Sequence, residues 1–171
     1  MNEMKLKRAE LADAGTLCGM FLHQITTHTE YISHGEIQMG VGEGRFENGR
    51  FITNPSPEAE SQWMKYINEK LVSEQSAVFK AVDQHGGIIG FCVAEISEDG
   101  ADPFGVICDI IVRENLRTAG VGTALLNEAI GWLNSMGVNG IYLESGLANH
   151  PAHEYFMRRG FQKISEIYKL M

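Results

Sequence analysis

Asp109 is the only charged residue in the run Val106-Ile-Cys-Asp-Ile-Ile-Val112. A carboxylate in an apolar strand needs a partner or a task. It could bind an ammonium group, or it could take a proton from one. The two roles conflict, because a nearby negative charge raises an amine's pKa. Just beyond lies Arg117-Thr118-Ala119-Gly120-Val121-Gly122-Thr123, a basic residue and two glycines ahead of an amphipathic run. A glycine-bearing loop entering a helix turns unpaired backbone N–H groups onto one concave surface, which suits an anion, above all a phosphate. Gly120 and Gly122 let the backbone approach such a ligand closely. A P-loop is excluded, because Gly122 is followed by Thr123-Ala124 and not by Lys-Ser/Thr. A dinucleotide fingerprint is excluded too, because Leu125 stands where its third glycine belongs. Glu144 is a second acid for the same cleft. His150 and His153 lack a further ligand set, so they read as packing or hydrogen-bonding residues and no metal is expected.

These residues need a scaffold to hold them. Val106–Val112 reads as a buried strand. Leu125, Ala129, Trp132 and Met136 mark one face of the helix that follows, and Gly137 is its stop. Upstream, Met4–Arg8 predicts a strand and Glu10 to about Thr29 a helix buried through Leu11, Ala14, Leu17, Cys18, Phe21, Leu22 and Ile25. Residues 31–57 carry five glycines and predict a long loop, folded onto the body or onto a second subunit. Pro57-Glu58-Ala59-Glu60 opens a second helix, with Trp63, Met64, Ile67 and Leu71 on its buried face. Strands at 77–82 and 88–96 flank a hairpin turn at Asp83–Gly87. Gly140–Ser145 predicts a fifth strand. Asn149 caps a short helix with Pro151 in its first turn, and Phe161–Leu170 forms a last strand. The order βα-α-β-β-β-α-β-α-β predicts an α/β fold with a mixed central sheet flanked by helices.

Composition fits one domain over residues 1–171, burying about 70% of its unfolded-chain surface. No apolar run approaches the roughly 20 residues of a membrane span. Met1–Glu10 is charged and reads as no secretion leader. Three cysteines without C-x-x-C spacing predict free thiols in a reducing cytoplasm. A net charge of −8 argues against a nucleic-acid partner and is compatible with a cationic substrate.

Strand, R-x-x-G-x-G and helix together resemble the acetyl-CoA pyrophosphate loop of the GNAT superfamily of N-acetyltransferases. A second stretch, Leu143-Glu-Ser-Gly146, Asn149, Ala152-His153-Glu-Tyr-Phe156 and Gly160-Phe161, resembles the end of several small-amine acetyltransferases. The element order is similar to the GNAT fold over nearly the whole chain. The resemblance implies transfer of an acetyl group from acetyl-CoA to a primary amine of a small molecule, by direct attack on the thioester. Alternatives are a protein N-terminal or lysine acetyltransferase, or a CoA-binding sensor without catalysis. It implies that Ile110, Ile111 and Val112 pair with the pantetheine arm, that residues 117–123 hold the pyrophosphate, that Asn149 and Phe156 line the cofactor, and that the protein forms a homodimer. It also implies that residues 31–57 border the acceptor amine. Diamine acetyltransferases carry an acid facing the amine near Asp109. A lysine-like amine holds its proton at pH 7 by about 4–5 kcal/mol, so assistance in removing it is expected. The reading favoured here has Asp109 binding the amine while water relays its proton away. The oxyanion would take a backbone N–H near Ile111 or Val112. The family's proton-donating tyrosine usually falls at Phe156. In this chain the tyrosine is Tyr155, about 100° away around a helix, so it serves only if the helix turns it inward.

Overall fold

The computed structural model describes residues 4–117 and 119–170. The chain begins with β1 (Lys5–Arg8), a 3-10 turn at Leu11–Asp13 and α1 (Ala14–Thr27). A short helix α2 (His34–Gln38) and a hairpin of β2 (Gly42–Glu47) and β3 (Arg50–Pro55) precede α3 (Ala59–Val72). Then come β4 (Ser76–Val82), β5 (Ile88–Ser97), β6 (Phe104–Val112), α4 (Val121–Ser135), β7 (Ile141–Leu143) and α5 (His150–Met157).

Five strands make one sheet in the order β1-β4-β5-β6-β7, antiparallel except for the parallel pair β6–β7. The hairpin β2–β3 stands apart as its own two-stranded sheet. Residues 88–94 of β5 are buried without interruption, as expected of a central strand covered on both faces. One face is covered by α1 and α3 through Leu17, Phe21, Ile25, Trp63 and Ile67, which pack on Phe91 and Ile111. The other is covered by α4 and α5 through Leu125, Leu126, Ala129, Leu133 and Phe156, which pack with Cys92 and Ile107.

Four expectations change. Residues 31–57 are not a loop. They hold α2, with Ser33 and Glu36 forming its capping box, and the β2–β3 hairpin. Residues 161–170 form no strand and run without a turn or bend, because no strand of the chain pairs with them. The buried stripe of α4 ends earlier than its periodicity suggests. The helix stops at Ser135 and Gly137 turns away at φ 75°, which leaves Met136 exposed. The first helix is entered through the 3-10 turn, and Leu11 is exposed there.

Trp63 is fully buried. It stacks on Phe21 at 4.6 Å and meets Phe91 edge-on at 5.8 Å and Tyr66 at 5.7 Å. It therefore joins α1, α3 and the sheet. Trp63→Ala is expected to cost about 3–5 kcal/mol in urea unfolding. A loss under about 1 kcal/mol would show that the helix pair does not depend on it.

Candidate active site

The site is set by an irregularity in β6. Val93 pairs with Asp109 and Ala94 with Ile107, so Cys108 is an extra residue in β6. Such a bulge puts two successive side chains on the same face. Cys108 packs with Ile111 on the α1–α3 face, whereas Ile107, Ile110 and Val112 pack on the α4 face. Asp109 turns to α3, where the Tyr66 hydroxyl donates to its Oδ2 at 2.6 Å.

The other side of β6 is open. β7 pairs with β6 only from Gly105 to Ile107. Past that point the two strands part, and the β6 edge from Cys108 to Val112 has no β7 partner. This is the stretch expected to meet an extended ligand arm through Ile110, Ile111 and Val112.

Three carboxylates converge on the α3 face of the bulge. Glu36 reaches in from α2, half-buried, and accepts from the Ser33 N–H at 2.8 Å. Burial pushes its carboxyl up to about 8, with Asp109 and Glu144 adding like charge and the Ser33 contacts pulling it back. Asp109 is pushed up to about 6 by burial, while the Tyr66 bond and Lys70 oppose the rise. Burial and the neighbouring Asp109 hold the Tyr66 phenol well above its ordinary range. Lys70 is engaged by Glu95. Glu144 lies just past β7, and its Oε1 accepts from the Gly35 N–H at 2.7 Å. It thus fastens the first turn of α2 beside the other two acids. Gly146 brings the same two segments together, since a Cβ there would lie 2.7 Å from the Tyr31 carbonyl oxygen.

At the far end of β6 the chain enters α4. Gly120 takes φ 81° as the N-cap residue, and no side chain caps the helix. The first N–H groups of α4 are therefore left for an anion. Val121 is buried, Gly122 is half-buried and Ala119 and Gly120 are exposed. Thr118 lies outside the described residues. Arg117 is folded back over the strand end, donating to the Val112 carbonyl at 3.4 Å and to Gln24 Oε1 at 3.2 Å. Glu114 lies 3.6 Å from it.

α5 sends Tyr155 and Phe156 to different surroundings. Phe156 is 8% exposed and packs edge-on against Phe161 in the core. Tyr155 faces α4 instead: its hydroxyl is buried without a hydrogen-bond partner and lies 3.4 Å from where a Gly122 Cβ would stand. Arg159 stacks 3.5 Å over its ring and donates to Thr123 Oγ1, which fixes the pair. The Asn149 side chain caps α5 through the Ala152 N–H at 3.3 Å, so its oxygen is already in use. His153 is hydrogen-bonded to the Gly146 carbonyl at 2.9 Å.

The chain carries the match to a family model described as the acetyltransferase (GNAT) family over residues 47–161. It belongs to that family. An uncharacterized N-acetyltransferase of Methanocaldococcus jannaschii is 28% identical over 105 residues, 60% of this chain and 46% of that protein. The chain thus spans about half the length of this relative. A protein of Bacillus halodurans, solved as a tetramutant, has a similar fold with a TM-score of 0.73 at 15% identity, covering 98% of this chain and 99% of that one. An aminoglycoside N-acetyltransferase solved in complex with CoA gives 0.69 at 15% identity, covering 100% and 95%. The GNAT fold expected from the element order is therefore present.

Tyr66, Glu36 and Arg159 were not reached by sequence reasoning. Glu36 carried a usable signal, the Ser33-x-x-Glu36 capping box. Tyr66 and Arg159 carried none, since both act across long sequence separations.

The raised carboxyls fix a pH dependence. Between ordinary carboxylate values and about 8, the folded GNAT domain holds protons that the unfolded chain has released. Stability must then fall as pH climbs through that window. The urea midpoint is expected to drop from about pH 5 to about pH 8, and Glu36→Gln to flatten the upper part of the decline. An unchanged slope in that variant would contradict the burial of an ionisable Glu36.

Proposed function

We propose that this chain, acting as one domain over residues 1–171, acetylates a primary amine of a small cationic molecule with acetyl-CoA. The observation that supports this best is the division of labour along β6. Its open edge leads to the uncapped N-terminus of α4, while its bulge presents Asp109 to Glu36 on the opposite face. One region suits an anion and an extended arm, and the other suits a cation.

The residues fit the cofactor. The α4 amides of Val121, Gly122 and Thr123 would hold its pyrophosphate, with Arg117 turning toward it, and the edge at Ile110–Val112 would pair with its pantetheine. When bound, acetyl-CoA supplies the activated acetyl thioester. The unpartnered Tyr155 hydroxyl lies beside Gly122 at the start of α4 and is assigned the proton that the departing sulfur needs. Asp109 binds and orients the ammonium group of the acceptor, and Glu144 keeps α2 in place around it. Water carries away the amine's proton, since Asp109 itself raises the amine's pKa. A backbone N–H near Ile111 or Val112 steadies the developing oxyanion.

The test is thiol release over a panel of amines. Asp109→Asn should raise the acceptor KM roughly 10–100-fold, the worth of a charge-assisted hydrogen bond. Tyr155→Phe should lower kcat by about 10²-fold or more while acetyl-CoA KM changes little. If Tyr155→Phe raises acetyl-CoA KM and spares kcat, Tyr155 is a cofactor contact and not the acid. If no amine is acetylated by the wild type, the chain is a binding protein on this fold.

A further inference from the structure

The loop joining β6 to α4 is tied to the end of α1 by an ion network with no part in the chemistry above. α1 ends at Thr27, and His28 closes it, its N–H donating to the Gln24 carbonyl at 2.8 Å. Gln24 and His28 are four residues apart, so they stand one above the other on the helix surface. Each takes one residue of the loop. Gln24 Oε1 accepts from Arg117 at 3.2 Å. His28 places its Nε2 2.5 Å from Glu114 Oε1. An ionised carboxylate only accepts, so Nε2 is the donor. The imidazole is fixed in this pose: it stacks on Tyr31 at 4.6 Å, the planes 15° apart, and its Nδ1 lies 3.4 Å from Glu30 Oε1.

One oxygen atom is contested. Glu114 Oε1, the atom bonded to His28, is also the atom that faces Arg117, 3.6 Å from its Nη1. The first separation is a hydrogen bond and the second is too long for one. The His28 bond is also what chiefly holds the Glu114 carboxyl below its ordinary value; burial opposes it, and Arg117 and His23 add less. Arg117 is held loosely by comparison. Its bond to the Val112 carbonyl is 3.4 Å long, and a cavity of about 40 Å³ opens between Arg117, Gln24 and Glu114.

We propose that His28 is a positioning residue for the cofactor: by holding Glu114 it keeps that carboxylate from closing on Arg117, and so leaves the guanidinium able to turn to the pyrophosphate. This rests on the acetyl-CoA reading above. Without His28, Glu114 is free to close on Arg117 in the two-bond pairing that guanidinium and carboxylate favour. Arg117 is then spent within the loop, and an unrestrained negative charge stands beside a site meant for an anion.

Calorimetric titration with acetyl-CoA on a set of variants tests this. His28→Ala should raise Kd about 3–5-fold, the range of a partly exposed ion pair. His28→Gln keeps a donor amide for Glu114 and should bind as the wild type does. Glu114→Gln should bind at least as tightly as the wild type. His28→Ala combined with Glu114→Gln should lose the defect of His28→Ala, because the group that His28 restrains no longer carries charge. A merely structural His28 would leave that defect in place. Wild-type affinity in His28→Ala, a defect that persists in the double variant, or weaker binding by Glu114→Gln would each overturn the proposal and leave the acetyl-CoA site standing. A wild type that does not bind acetyl-CoA would overturn both.

Discussion

One extra residue in one strand shapes this site. In a regular β6, Cys108 and Asp109 would point to opposite faces. The bulge puts both toward α3 and delivers the carboxylate to Tyr66. Because β7 accompanies β6 only as far as Ile107, the strand beyond the bulge keeps a free edge. A single stretch of five residues thus presents a carboxylate on one face and an open backbone edge beside it.

The carboxylate cluster costs stability and is kept anyway. Burial drives Glu36 and Asp109 toward their neutral forms, and Asp109 adds like charge at Glu36. Among the described residues neither has a cation bonded to it, and Lys70 is given over to Glu95. A group of this kind gains most from a ligand that brings positive charge. The desolvation that raises these carboxyls is the same physics that weakens the fold as pH rises.

Much of this was legible in the sequence. Period and punctuation located α1, α3, α4 and the central strands, and the glycine loop located the anion end. Asp109 stood out because an apolar strand does not carry an acid without cause. The bulge that aims it did not stand out, since nothing in Val106–Val112 distinguishes a bulged strand from a regular one. Residues 31–57 were misread because their glycines mask a helix and a hairpin. Gly44 leaves room for the Phe51 ring to lie across it, where a Cβ would stand 2.3 Å away. The choice between Tyr155 and Phe156 was also beyond the sequence, because it depends on how α5 is rotated against α4. Packing of Phe156 with Phe161 settles that rotation and leaves Tyr155 facing Gly122.

The central claim is that the N-terminus of α4 and the β6 edge beside it form the acetyl-CoA site. Calorimetric titration with acetyl-CoA, on the wild type and on Gly122→Asp, tests it most directly. That substitution puts a carboxylate among the free amides and crowds the Tyr155 hydroxyl. The account predicts micromolar binding by the wild type and loss of binding in the variant with the fold intact by circular dichroism. A wild type that binds neither acetyl-CoA nor CoA, or a folded variant that binds as well as the wild type, would contradict it.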